Sequence, residues 1–155
     1  MEKFSISEIV EQAVQTEKLG YQFYSSMAEK FADDEKLNKL FATLALKEQE
    51  HEKIFRSLME NADVQPSDNW EEVGNYMRAI VESEFFLGRN KSLPALGHIE
   101  SASAAAKFAI SFEKETLLYF YNMKDLIADS DVINRIIDEE KSHIVWLHNY
   151  EKDHL

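Results

Sequence analysis

From Ile6 to Phe31 the apolar residues Ile6, Ile9, Val10, Ala13, Val14, Tyr21, Tyr24, Met27, Ala28 and Phe31 fall mostly three or four apart. That spacing lines one face of an α-helix and matches neither face of a strand, so it commits the segment to a long helix with one side to bury. The pattern recurs three times. Leu37, Leu40, Phe41, Leu44, Phe55, Leu58 and Met59 carry it from about residue 34 to about 60. A third stretch starts near Ser101 or Ser103 and reaches about Ala128, and a fourth runs from about Ser130 to about Asp153. Ser5 and Glu8 form an S-x-x-E capping box at the first start, with the first helix expected over about 5–31. Asp33 and Asp34 supply capping side chains between the first two helices. A shorter amphipathic stretch over 70–87, anchored by Trp70, Val73, Met77, Ile80 and Val81, predicts an extra helix between the second and third.

Breakers are scarce, with four Gly and two Pro in 155 residues. A chain of that length with 45% hydrophobic residues holds one domain with its own core, here expected over 1–155. Short links between the first and second, and the third and fourth, helices make antiparallel neighbours. The long link from about 60 to about 101 lets the third helix run parallel to the second. The expected fold is all-α, a four-helix bundle with one long crossover that contains an extra short helix.

The bulk charge and missing residue types narrow the function. A net charge of −12 disfavours nucleic acid and anionic membrane surfaces as partners. The absence of cysteine removes disulfides, thiolate metal sites and cysteine nucleophiles. The N-terminal MEKFSISEIVEQAV has no apolar core of a secretory signal, and no apolar run approaches the ~20 residues of a membrane span, so a cytoplasmic protein is expected.

Each apolar stripe is interrupted once, by polar residues standing where a leucine is due. In the second helix Glu48 and His51 lie between Leu44 and Phe55. In the fourth, Glu140 and His143 lie between Ile136 and Leu147. Glu17 interrupts the first stripe and Glu113 the third. All four glutamates fall near mid-helix, at one level of a bundle. A third E-x-x-H, Glu151 with His154, sits in the charged C-terminal tail and is read as chance. Burying unpaired carboxylates costs several kcal/mol each, and no Lys or Arg shares these stripes. Two divalent cations would balance four carboxylates. Oxygen and imidazole donors without thiolate suit Fe or Mn and permit Zn. The pattern therefore predicts a dinuclear site with Glu48 and Glu140 bridging, Glu17 and Glu113 terminal, and His51 and His143 each on one metal.

At these residues the chain resembles the rubrerythrin branch of the ferritin-like di-iron carboxylate superfamily. The carriers are Glu17 in EKLGYQFY, Glu48 and His51 in EQEH, Glu113 in FEKETLLYFY, and Glu140 and His143 in DEEKSH. The resemblance spans nearly the whole chain. It implies two Fe ions and an oxidoreductase that reduces hydrogen peroxide, probed against two alternatives: ferroxidase or iron-handling chemistry with O2, and a non-catalytic metal-binding domain. It also implies a homodimer. Two departures stand out. Rubrerythrins carry a rubredoxin domain with iron-binding cysteines, which this chain lacks, so electrons are expected from a separate donor. Thr116 stands where rubrerythrins carry a further carboxylate. Tyr21 and Tyr24 lie on the Glu17 face and are read mainly as core tyrosines, with hydrogen bonding to a ligand as the alternative; Glu139 is read mainly as a solvated charge, with partnering an imidazole as the alternative, and Trp146 as packing.

Overall fold

The computed structural model describes residues 6–60, 72, 75, 79, 97, 99–126 and 131–153. Four long helices stand out among them: α1 (Ile6–Lys30), α2 (Glu35–Glu60), α3 (Ala102–Leu126) and α4 (Asp131–Asp153). No strand occurs among the described residues. The expected extra helix over 70–87 lies outside the described residues apart from Glu72, Asn75 and Ala79, as do Ser5 of the capping box and His154. No helix of the described residues is long and apolar enough to cross a membrane.

The helix starts follow from side chains that satisfy otherwise orphaned N–H groups. Asp34 Oδ1 accepts from the Leu37 amide at 3.1 Å and opens α2. Ser101 Oγ accepts from the Ala104 amide at 3.1 Å and opens α3. Asp34 is used twice, because its Oδ2 accepts from the Tyr150 hydroxyl at 2.9 Å and ties the α1–α2 turn to the end of α4.

Cross-helix contacts fix the directions. Asn38 Nδ2 donates to the Ala28 carbonyl at 2.7 Å, and Lys18 lies 4.0 Å from Glu52, so α1 and α2 are antiparallel. Lys107 pairs with Glu151 at 3.8 Å and Lys141 sits over the Tyr121 ring at 5.3 Å, so α3 and α4 are antiparallel. The Tyr119 hydroxyl donates to the Ile9 carbonyl at 2.8 Å while Tyr24 reaches Glu113, which makes α1 and α3 antiparallel. It follows that α2 and α3 run parallel. This is the four-helix bundle expected from one long connection.

The core is divided into two apolar clusters. One gathers Ile9, Val10, Ala13 and Val14 with Phe55, Tyr119, Phe120, Met123, Ile133, Ile136 and Ile137. The other gathers Phe23, Tyr24 and Met27 with Leu37, Phe41, Leu44, Ala105, Ala109, Leu147 and Tyr150 at the opposite end. Each fully buried Phe or Leu contributes roughly 1.5–3 kcal/mol through area removed from water. Between the two clusters, in sequence on every helix, lie the polar residues that interrupt the stripes.

Candidate metal centre

Those six residues meet in the middle of the bundle. Glu17, Glu48, His51, Glu113 and Glu140 are fully buried, and His143 is 1% exposed. Each stands on the inward face of its helix because the flanking apolar residues, three to four positions either side, fix that face. His51 Nδ1 lies 2.9 Å from Glu140 Oε1 and 3.6 Å from Glu17 Oε1. His143 Nδ1 lies 3.2 Å from Glu140 Oε2, 3.5 Å from Glu113 Oε1 and 3.7 Å from Glu48 Oε1.

The donor atoms fall into two groups that share members. Glu17, Glu48, His51 and Glu140 offer one set, and Glu48, Glu113, Glu140 and His143 the other, with the donor atoms of each set within 4.8 Å of one another. Glu48 and Glu140 belong to both sets. Both oxygens of Glu17, both of Glu48, and Glu113 Oε2 are buried without a hydrogen-bond partner among the described residues. Buried carboxylate oxygens are ordinarily satisfied. Five acceptor atoms left open in one spot, together with two imidazole nitrogens aimed the same way, fit a pair of divalent cations.

Without cations the cluster must be held by protons. Burial, and then the charge of Glu140, pushes Glu17 and Glu48 well above the usual carboxylate range. Burial and Glu140 likewise push Glu113 up to about 8. Burial pushes Glu140 the same way, but hydrogen bonds from Glu113, His143 and His51 outweigh it and hold Glu140 below its ordinary value. Burial opposes protonation of both imidazoles, yet hydrogen bonding and the charge of Glu140 raise His51 to about 9. Hydrogen bonds to Glu113, Glu140 and Glu48 raise His143 to about 12. Protons on carboxyls and imidazoles thus sit where divalent charge would otherwise sit.

The surroundings hold the cluster in place. Tyr24 donates to Glu113 Oε1 at 2.5 Å. Burial, then the charge of Glu113, pushes the Tyr24 hydroxyl well above its ordinary value, so it stays a donor. His51 Nε2 lies 2.5 Å from Glu139 Oε2. Thr116 is buried and donates its hydroxyl to the Phe112 carbonyl at 2.9 Å, closing on its own helix. Gly20, one turn after Glu17, clears room for the neighbouring helix: a Cβ there would stand 2.8 Å from Glu48 Oε2 and 3.1 Å from Phe112 Cε1.

The structure brings together all six residues singled out from the sequence. Of four other readings, two change and two resolve toward a partner of the ligands. Tyr24 is buried as expected but also anchors Glu113. Tyr21 is 38% exposed and does not belong to the cluster. Glu139 is not simply solvated: although 39% exposed, it grips His51 from across the bundle. Trp146 is 40% exposed rather than core packing, with its ring 5.4 Å from that of His143. Gly20 was not foreseen. A glycine inside a helix in a chain with four glycines was the available signal, since mid-helix Gly costs about 1 kcal/mol against Ala.

An antiparallel bundle with paired carboxylate–histidine groups in its middle defines a class of helical proteins that hold metal between their helices. Within that class the chain belongs to the rubrerythrin family, whose model matches residues 8–151. It is similar to a crystal structure from Thermotoga maritima described as a ferritin-like diiron-carboxylate protein, with 25% sequence identity and a TM-score of 0.72, over 100% of this chain and 99% of the other. No curated protein matches the chain.

Proposed function

We propose that the protein is a dinuclear iron oxidoreductase that reduces hydrogen peroxide with electrons from a separate donor. The observation that carries the reading is the sharing of Glu48 and Glu140 by two four-residue donor sets. Carboxylates shared in this way would let the six residues hold two metals as neighbours, which suits a two-electron reaction at one place. When bound, two ferrous ions supply the two electrons that, with two protons, convert one hydrogen peroxide into two waters.

The chain's own residues would do the rest. Glu17, Glu48, His51, Glu113, Glu140 and His143 would hold the ions. Glu139 accepts from His51 Nε2–H and so fixes the tautomer that leaves Nδ1 free to bind. Tyr24 fixes the orientation of the Glu113 carboxylate. The two apolar clusters keep bulk water from the ends of the site. The half-exposed Trp146 ring beside His143 supports delivery of electrons from outside the bundle. The family resemblance supports a homodimer.

The test is anaerobic stopped-flow of the iron-loaded, reduced protein against hydrogen peroxide and O2 in parallel, following near-ultraviolet ferric absorbance. Faster oxidation by peroxide is expected. Faster oxidation by O2 would replace this reading with ferroxidase or iron-handling chemistry, and no reaction with either would leave a non-catalytic metal-binding domain. Glu48→Ala and His51→Ala are expected to lower metal stoichiometry. Unchanged stoichiometry in both would overturn the ligand set.

A further inference from the structure

The site is nearly two-fold symmetric, and two places where the symmetry fails favour the same half. Glu17 corresponds to Glu113, Glu48 to Glu140 and His51 to His143. By the same register Glu139, immediately before Glu140, corresponds to Lys47, immediately before Glu48. Tyr24, seven residues after Glu17, corresponds to Phe120, seven after Glu113.

In one half, His51 Nε2 is gripped by Glu139 at 2.5 Å. In the other, the residue at the corresponding position is Lys47, which has no acceptor to offer. Its ammonium instead lies 3.5 Å from Glu50 on its own helix. The two residues are equally half-exposed, at 36% for Lys47 and 39% for Glu139, so the difference is chemical and not one of depth. Accordingly His143 Nε2 is buried without a hydrogen-bond partner among the described residues, against the Trp146 ring. A carboxylate on the far nitrogen raises the donor strength of a metal-binding imidazole, and its loss typically weakens binding 10–100-fold.

The terminal carboxylates differ in the same sense. Glu113 Oε1 already accepts a 2.5 Å hydrogen bond from Tyr24. That bond stabilises the free carboxylate and draws electron density from it. Glu17 has no hydrogen-bond partner on either oxygen, and the counterpart of Tyr24 is Phe120, which has no hydroxyl.

We propose that the two metal positions are inequivalent, the Glu17–His51 position binding tightly and the Glu113–His143 position weakly and exchangeably, with Glu139 and Lys47 setting the difference. The proposal rests on the ligand set given above. The protein would therefore hold a single metal ion over a range of concentration before the pair forms.

Titration of the chelator-treated full chain with Mn2+, read by calorimetry and by electron paramagnetic resonance, tests this. Two binding steps separated by about tenfold or more are expected. After the first equivalent the isolated-ion Mn2+ spectrum should dominate, giving way to a spin-coupled pair with the second. Lys47→Glu, which restores the missing acceptor, should tighten the weaker step by about tenfold. Lys47→Met, which removes the charge and adds no acceptor, should move it by far less. Glu139→Gln should weaken the tighter step and narrow the gap. Lys47 and Glu139 sit half-exposed on helix surfaces, so these variants are expected to fold. Two equal affinities with a coupled spectrum from the outset would overturn the inequivalence while leaving the ligand set standing. A weaker step that Lys47→Glu does not move would overturn the assignment of the difference to Lys47 and Glu139. Binding of fewer than two Mn2+ to the unmodified chain would instead count against the ligand set.

Discussion

At the scale of single residues, what the neighbours allow matters as much as which atoms are donors. Gly20 illustrates this. Its missing side chain is the space in which the Glu48 carboxylate sits, 2.8 Å from where a Cβ would be. Gly20→Ala should therefore separate two properties that usually move together. The metal-free helix gains up to about 1 kcal/mol of intrinsic propensity, while the displaced Glu48 lowers affinity for metal at both positions it serves. Thermal unfolding in chelator against Mn2+ titration checks this. A Gly20→Ala protein that binds Mn2+ as well as the unmodified chain would show that Glu48 has room elsewhere. The six cluster residues were legible in the sequence because each breaks an apolar stripe in phase. Gly20 and Glu139 were not legible in that way. A glycine's role depends on the helix opposite, and Glu139 lies off the inward face, so only the packing of α4 on α2 brings it to His51.

Helix ends supply the next scale. Asp34 caps α2 through one carboxylate oxygen and holds Tyr150 of α4 through the other. Loss of a capping side chain costs typically about 1 kcal/mol, and a lost hydrogen bond to a charged group about 1.5–3 kcal/mol. Because this hydrogen bond is itself only partly buried, the lower end of that range applies. Asp34→Ala is expected to destabilise by about 2.5 kcal/mol, lowering Tm by roughly 5–10 °C for a chain of this size. Tyr150→Phe should reproduce only the cross-helix share, about 1.5 kcal/mol. Equal losses in the two variants would mean that the cap contributes nothing. The four helices themselves were legible from periodicity and scarce breakers, and so was the Asp34 cap. The tie to Tyr150 was not, since it joins residues from opposite ends of the chain. The segment over 70–87 carries a helical pattern in the sequence and lies almost wholly outside the described residues.

The molecule as a whole is a proton-loaded object when metal is removed. Glu113, at about 8 in the folded state against an ordinary 4.5, binds more protons folded than unfolded between those values. Its contribution is therefore present below about 4.5 and lost as pH rises through about 8. His51, at about 9 against 6.5, contributes below about 6.5 and is lost as pH rises through about 9. Glu140, held below its ordinary value, works the other way and is lost as pH falls below 4.5. The metal-free protein should thus be most stable in mildly acidic solution and lose Tm steadily toward pH 9. The metal-loaded protein should gain Tm over the metal-free one as pH rises, because ions displace the same protons. Melting curves in chelator and in Mn2+ across that range decide it, and a metal-free Tm that rises with pH would contradict the assignment. The division of the core into two apolar clusters has a consequence for how the chain reaches this state. Each cluster can condense around its own ends of the helices, but the layer between them conflicts with the fold that surrounds it. Six leucine-like residues in its place would make a more cooperative and more robust bundle. The protein instead keeps local frustration at its midpoint, a soft waist at which metal binding is expected to complete folding.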